Sequence, residues 1–448
     1  MSKIYDIPIM YRIVRSLITK VLYLYYDEII VTGKENIPSN GGYIFAPNHR
    51  NALMDALAVV LITPKQKSTS FLARSDIFKN KYAAQFLRFS KIMPAFRIRD
   101  GFENLGKNND VFEECVELLE ANQALCIMPE GNQELEHKVR PLVKGIFRVA
   151  FSVQQRNKTE HPLQIVPVGF DYGDIVKFGK HLIINIGKPI DVSTYNKAYN
   201  ENPPKALNEI KGKLKQRLEK LTLHIDSELN YDTILATIDY SHINILHKNK
   251  IKPTTIAAYE TRKQLADWLC DIEKEQPELL KELSESTLKY KKALDKNHIQ
   301  YRNVNQIKSG KTLFFNSLLL TISFPFALVG FVLNAVPFFA PEWIRKLMKV
   351  EFEGFFSSIQ FVLGLILFPI FYLAQSFLIC NLLSVTLLYT PFLLVTHLIS
   401  GILYFKYYST FKCTIASIRV KLLPKKELKK LKSLCEEISS KLALLTFQ

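Results

Sequence analysis

The chain lacks the marks of a secreted, disulfide-built protein. Its 448 residues hold six cysteines, Cys115, Cys126, Cys270, Cys380, Cys413 and Cys435, with no CxxC spacing among them. That scatter argues against a zinc ribbon or a disulfide frame and for reduced thiols in a cytoplasmic or membrane setting. No cleavable signal opens the chain, because Arg12, Arg15 and Lys20 interrupt its first apolar residues and no small-residue cleavage site follows. Acidic residues are in deficit: 42 Asp and Glu stand against 59 Lys and Arg, a formal net charge of +17. Charge is missing altogether from two long stretches, Thr312 to Pro341 and Gly354 to Phe405. A nucleic-acid partner would account for the basic surplus but not for those stretches. Anionic lipid headgroups account for both.

The uncharged stretches set the membrane expectation. Thirty residues make a helix of roughly 45 Å, against an apolar bilayer thickness of about 30 Å. Fifty-two would make roughly 78 Å, which suits two crossings better than one. Lysines and arginines flank the region on both sides, from Lys289 to Lys311 and from Lys406 to Lys432. The positive-inside rule then places both flanks in the cytoplasm and asks for an even number of crossings. The 354–405 stretch supplies two, so 312–341 is expected to be re-entrant or itself a hairpin. Trp343 to Lys349 reads as an interfacial anchor.

Ahead of the membrane region, short β-rich runs alternate with helical ones. Expected strands are 42–47, 69–73, 92–96, 124–128, 163–170 and 182–186; expected helices are 52–62, 83–89, 109–121, 143–154 and 205–220. This alternation predicts an α/β domain with a largely parallel sheet flanked by helices. Tyr43–Ala46 and Leu125–Met128 are continuously apolar, as strands covered on both faces should be. Five segments result: an amphipathic N-terminus (1–30), the α/β domain (31–223), a charged helical arm (224–311), the transmembrane region (312–405) and a basic cytoplasmic C-terminal helix (406–448). Residues 9–26 suit a helix at a membrane surface and a helix packed on the domain equally. No motif in the arm points to a particular chemistry.

The residues that carry chemistry follow strand ends, where ligands bind in open α/β sheets. In Asn48-His49-Arg50-Asn51-Ala52-Leu53-Met54-Asp55, His49 must lie in the loop before the helix if it is to meet Asp55. Asn51 could then cap the helix, Asp55 would sit near its second turn, and Asp55 would orient His49 as a general base. Spacing alone favours a plainer reading, a structural histidine near an unrelated aspartate. Arg97, with Arg99 behind it, follows a strand in Met93-Pro94-Ala95-Phe96-Arg97-Ile98-Arg99-Asp100, where a guanidinium can fork onto phosphate. Glu130 and Gly131 follow another strand in Met128-Pro129-Glu130-Gly131, where the glycine permits a sharp turn. Val166-Pro167-Val168-Gly169 ends a third.

Taken together and in this order, the four blocks resemble those of the phospholipid/glycerol acyltransferase family, over roughly residues 30–200. Five residues between His49 and Asp55, where four are common, resemble the branch that includes the fungal glycerol-3-phosphate acyltransferases. The resemblance implies a glycerolipid acyltransferase-like fold and an O-acyltransferase of phospholipid synthesis. It implies catalytic roles for His49 and Asp55, and acceptor binding by Arg97, Glu130 and Gly131, with Asn51, Arg99 and Lys144 as further candidates. Pro167 would lie in the acyl-donor region. The implied acceptor is glycerol 3-phosphate or 1-acylglycerol 3-phosphate, and the implied co-substrate is acyl-CoA or acyl-carrier protein. No metal or other cofactor is expected, and the active site should face the cytoplasm from a multi-pass cell-membrane protein. The polar set that often follows Pro-Glu-Gly is replaced here by Asn132-Gln133-Glu134, so an expected basic contact is missing; Lys138, Arg140 and Lys144 are the candidates to replace it, and the phosphate site is only partly assigned. Two alternatives accompany this reading: acylation of another lysolipid, and a catalytically silent lipid-binding protein of the same fold.

Overall fold

The computed structural model describes residues 4–95, 107–156, 160–301, 304 and 309–442. They divide into two compact units, Met1–His224 with Phe352–Ser358, and Ile225–Glu351 with Ile359–Gln448.

The first unit is built on an eight-stranded sheet: β1 (Glu28–Thr32), β2 (Tyr43–Pro47), β3 (Thr69–Arg74), β4 (Ile92–Ala95), β5 (Ala124–Cys126), β6 (Gln164–Tyr172), β7 (His181–Ile186) and β8 (Ile190–Asp191). The spatial order is β1-β7-β6-β2-β5-β3-β4, with β8 beside β6. Five pairings are parallel; only β6–β7 and β6–β8 are antiparallel. The expected largely parallel α/β architecture is therefore present. All six expected strands form, with ends shifted by one to two residues. β1 and the two-residue β8 are additions.

β2 is fully buried along its length because both faces are covered. Ile44 and Ala46 join Leu125 and Ile165 under α4 (Lys107–Glu120), α5 (Gly145–Arg156) and the later α7 (Pro203–Leu221). Tyr43 and Phe45 point the other way, in an edge-on ring contact at 5.0 Å. Removing such side chains from water stabilises the domain by about 1.5–3 kcal/mol each. On that other face run α1 (Ile9–Tyr25) and α2 (Ala52–Ile62). Arg15 on α1 donates to the carbonyls of Thr63 and Lys67, capping the C-terminal end of α2. Tyr11, Leu22 and Tyr25 are buried, while Ile9, Met10, Ile13 and Leu17 are exposed. The first helix thus packs on the domain by one face and presents an apolar face outward. Two short helices, α3 (Lys81–Phe89) and α6 (Asn196–Glu201), complete the unit.

The second unit is helical. Its charged part comprises α8 (Tyr231–Lys248), α9 (Thr255–Glu275) and α10 (Pro277–Lys296), and the C-terminal α14 (Lys425–Lys441) packs among them. Leu431, Cys435 and Ile438 are the buried stripe of α14, and Ser286 on α10 donates to Glu437 at 2.7 Å. Between α10 and α14 come three helices long and apolar enough to cross a membrane: α11 (Gly310–Leu347), α12 (Phe356–Leu382) and α13 (Thr390–Leu422). α11 is one continuous helix of 38 residues, with Pro325, Pro337 and Pro341 inside it, so the expected alternative of a helical hairpin in this stretch is not what forms. α11 and α13 lie antiparallel: Gly330 is against Ser400 and Tyr404, and Gly310 against Lys421. Glycine at the contact lets the backbones approach closely. Asn334, buried on α11, donates to the Gly330 carbonyl and accepts from Tyr372 on α12 at 2.5 Å, with Ser400 on α13 at 3.3 Å.

Candidate active site

Parallel pairing places the carboxyl ends of β2, β3, β4 and β5 on one edge of the sheet. The chain leaves β2 there through Asn48, whose side chain continues the pairing onto β6: Oδ1 accepts from the Phe170 amide at 2.7 Å, and Nδ2 donates to its carbonyl at 3.3 Å. His49 follows in the loop, and α2 starts three residues later.

Asp55 lies in the first turn of α2 and is completely buried. Its Oδ2 accepts from His49 Nδ1 at 2.9 Å, from the Arg50 amide at 2.9 Å and from the Asn51 amide at 2.8 Å. Its Oδ1 accepts from the Tyr172 hydroxyl at 2.6 Å. A buried carboxylate is costly unless its lone pairs are used, and here four donors and the helix N-terminus meet it. An ionised carboxylate only accepts, so Nδ1 carries the imidazole proton and Nε2 presents its lone pair. The His49 side chain keeps 19% of its surface exposed. The turn carries strain: Ala52 has φ = 40°, left-handed backbone that costs a side-chain-bearing residue about 1–2 kcal/mol.

Asn51 does not cap α2 as expected. Its side chain makes no cap bond and instead accepts from Ser357 Oγ at 2.6 Å, while the Met54 amide that it could have capped bonds the Asn51 carbonyl at 2.8 Å. The neighbouring Ser358 Oγ accepts from the Leu53 amide at 3.2 Å, and Gly354 lies against the Arg50 carbonyl. The segment Phe352–Ser358, three hundred residues downstream, thus straps the His49 loop.

Glu130 follows β5 at the same edge and is buried. Its Oε2 accepts from Arg140 Nε at 3.1 Å. Despite that ion pair its carboxyl is pushed up to about 7, because burial outweighs Arg140 and the nearby His49. Gly131 adopts φ = 73° in a turn closed by its amide on the Met128 carbonyl at 3.1 Å, a conformation suited to glycine. Of the three cations considered for the basic contact after Gly131, Arg140 stands beside Glu130 and also reaches Glu134 and the Asn132 carbonyl. Lys144 is exposed ahead of α5. Lys138 lines a small cavity of about 10 Å³ with Asn48, Arg50, Glu130 and Phe170. Pro167 is buried within the sheet, opposite Ala46 of β2. Arg97 and Arg99 lie outside the described residues. A larger open groove of about 360 Å³ borders Glu35–Asn40 and His161, at the opposite edge of the sheet from His49.

The edge therefore brings His49, Asp55 and Glu130 together, and it adds residues that the motif blocks did not single out. Tyr172 lies two residues past the expected end of its strand. Arg50 donates to the Leu135 carbonyl and meets His137 Nδ1 at 2.9 Å, fixing the loop after Gly131. Chemically, the arrangement offers an oriented base beside a carboxyl that changes protonation near neutrality.

Residues 28–171 match the family model described as acyltransferase. They form an acyltransferase domain. The chain is thus an enzyme of acyl transfer, and the family expected from the four blocks is borne out over that stretch. No curated protein matches the chain. Among solved structures it is similar to the 1-acyl-sn-glycerophosphate acyltransferase PlsC of Thermotoga maritima, at 20% identity and a TM-score of 0.34, covering 47% of this chain and 81% of that one.

Proposed function

We propose that this acyltransferase moves a fatty acyl group from a thioester, acyl-CoA or acyl-carrier protein, to a free hydroxyl of a glycerophosphate acceptor, glycerol 3-phosphate or 1-acylglycerol 3-phosphate. The observation that carries the reading is the 2.9 Å contact between His49 Nδ1 and the fully buried Asp55. His49 Nε2 takes the proton of the acceptor hydroxyl while its oxygen attacks the thioester carbonyl carbon. The tetrahedral intermediate collapses, the C–S bond breaks, and the departing thiolate recovers the proton from the imidazolium. Asp55 stabilises that imidazolium and keeps the ring turned. No acyl-enzyme is needed. Arg97 serves the acceptor phosphate, helped by Arg99. The reading is supported by the direction of β4, which delivers the chain to the edge where His49 lies. Glu130 holds Arg140 and contacts acceptor hydroxyls, with the Gly131 turn letting backbone approach the ligand. Asn51 shapes the loop through Ser357, Lys144 adds positive charge, and Pro167 lies in the strand that borders the acyl donor. No metal or prosthetic group takes part.

The three apolar helices support action on a bilayer substrate in a multi-pass cell-membrane protein. The packing of α14 on α10 keeps the two basic flanks of the apolar region on one side, which supports a site facing the cytoplasm. The test is an acceptor screen on the purified full chain with radiolabelled acyl-CoA. Glycerol 3-phosphate or 1-acylglycerol 3-phosphate should be acylated, and lysophospholipids with a blocked phosphate should not. Acylation confined to blocked lysophospholipids or lyso-amino-acid lipids would replace this acceptor assignment.

A further inference from the structure

The buried neighbour of Asp55 is a tyrosine that no motif block includes. β6 runs for nine residues, past its parallel register with β2, which ends at Val168. It continues because β7 pairs with it antiparallel from Val168 to Tyr172. That extension carries Tyr172 beneath α2, where its hydroxyl reaches Asp55 Oδ1 at 2.6 Å. The other oxygen of the carboxylate already serves His49 and two amides.

The geometry points to Tyr172 as a positioning residue for acyl transfer: its hydroxyl fixes the Asp55 carboxylate in the rotamer that turns His49 toward the acceptor. The inference rests on His49 being the general base. With Oδ1 tied to β6 and Oδ2 to the loop, the carboxylate cannot rotate about its terminal torsion without breaking both sets of bonds. The hydroxyl also draws charge toward Oδ1 and moderates how strongly Asp55 favours the imidazolium. Burial first, and the Asp55 charge second, push the Tyr172 phenol well above its ordinary range, so it stays a donor throughout working pH.

A space-filling role makes a different prediction, and Tyr26 separates the two. The Tyr26 ring lies 6.2 Å from that of Tyr172, equally buried, but its hydroxyl has no hydrogen-bond partner among the described residues. Removing that hydroxyl disturbs the same aromatic cluster without touching Asp55. The titratable and charged groups around the pair are Arg50 in the loop, Cys126 on β5, Tyr26 after α1, and Glu130 with Arg140 beyond β5. All of them are retained in Tyr172→Phe, so a difference between its pH profile and the parent's reports the Tyr172 hydroxyl.

The experiment measures kcat, KM and the pH profile of acyl transfer for the full-length chain in vesicles, with acyl-CoA and either glycerol 3-phosphate or 1-acylglycerol 3-phosphate. Tyr172→Phe should lower kcat about ten-fold, the scale of one lost hydrogen bond to a buried charge. Its acceptor KM should hold, and its acid limb should move to higher pH, because an Asp55 with an empty Oδ1 accepts a proton more readily and binds imidazolium more tightly. Tyr26→Phe should match the parent. Tyr172→Phe with parental kcat and acid limb, or equal losses in both variants, would overturn the assignment. His49→Ala run alongside separates the failures: if it stays active, the base reading itself falls; if it is dead while Tyr172→Phe is parental, only the positioning role falls.

Discussion

Asp55 and Asn334 are both buried polar groups in apolar surroundings, and they are handled differently. Asp55 can carry a charge, and it accepts from a strand, two loop amides and an imidazole. One of those partners, His49, remains partly exposed, so the network has an end open to solvent. Asn334 is neutral, and its amide reaches α11, α12 and α13 in turn. Its network closes among the helices themselves. In an apolar medium an unpaired amide is expensive, so such a closed network joins helices. Ionisable character together with an open end distinguishes the site from the helix lock.

Three substitutions sharpen that comparison. Asp55→Asn keeps the shape but removes the charge and presents an amide to donors. Initial rates should fall by about 10²–10⁴-fold, with membrane insertion retained. An activity within two-fold of the parent would make Asp55 as structural as Asn334. Glu130→Gln tests the second ionisable group. Its folded carboxyl sits near 7, raised from 4.5, so between those values the native state binds the proton more tightly than the unfolded chain does. Ionisation there costs stability: the parent should lose Tm relative to Glu130→Gln as pH rises through that window, with no further divergence above it. Parallel Tm curves from acid to neutral pH would show that burial does not govern this carboxyl. Asn334→Leu should have the smallest catalytic effect, leaving kcat near parental while lowering resistance to detergent unfolding by about 1 kcal/mol. A large loss of kcat at unchanged insertion would give the helices a part in the chemistry.

The sequence marked these two regions with unequal clarity. α2 forms over 52–62, where its apolar run predicted it, and β2 has the two covered faces that its unbroken apolar run requires. β1 escaped because Glu28 is exposed and its Ile-Ile-Val run is only half-buried, a short edge signal easily lost beside Asp27. Residue order exposed the histidine, the aspartate and the Pro-Glu-Gly turn because each follows its strand directly. It could not expose Tyr172, since only pairing with β7 carries that residue to Asp55. Nor could it expose the strap, because Ser357 meets Asn51 through tertiary folding alone. The continuity of α11 was equally hidden: the basic flanks asked for a re-entrant segment or a hairpin there, yet one helix forms, with three prolines inside it. The arm looked separate from the C-terminal helix, whereas the buried stripe of α14 packs against α10 and α8.

The central claim is that His49, held by Asp55, removes the proton from the acceptor hydroxyl. The most direct measurement is acyl transfer by purified, membrane-reconstituted His49→Ala beside the parent, at equal amounts of inserted protein. The account predicts that transfer falls to background across the pH range while insertion is unchanged. Turnover near the parental rate would contradict it.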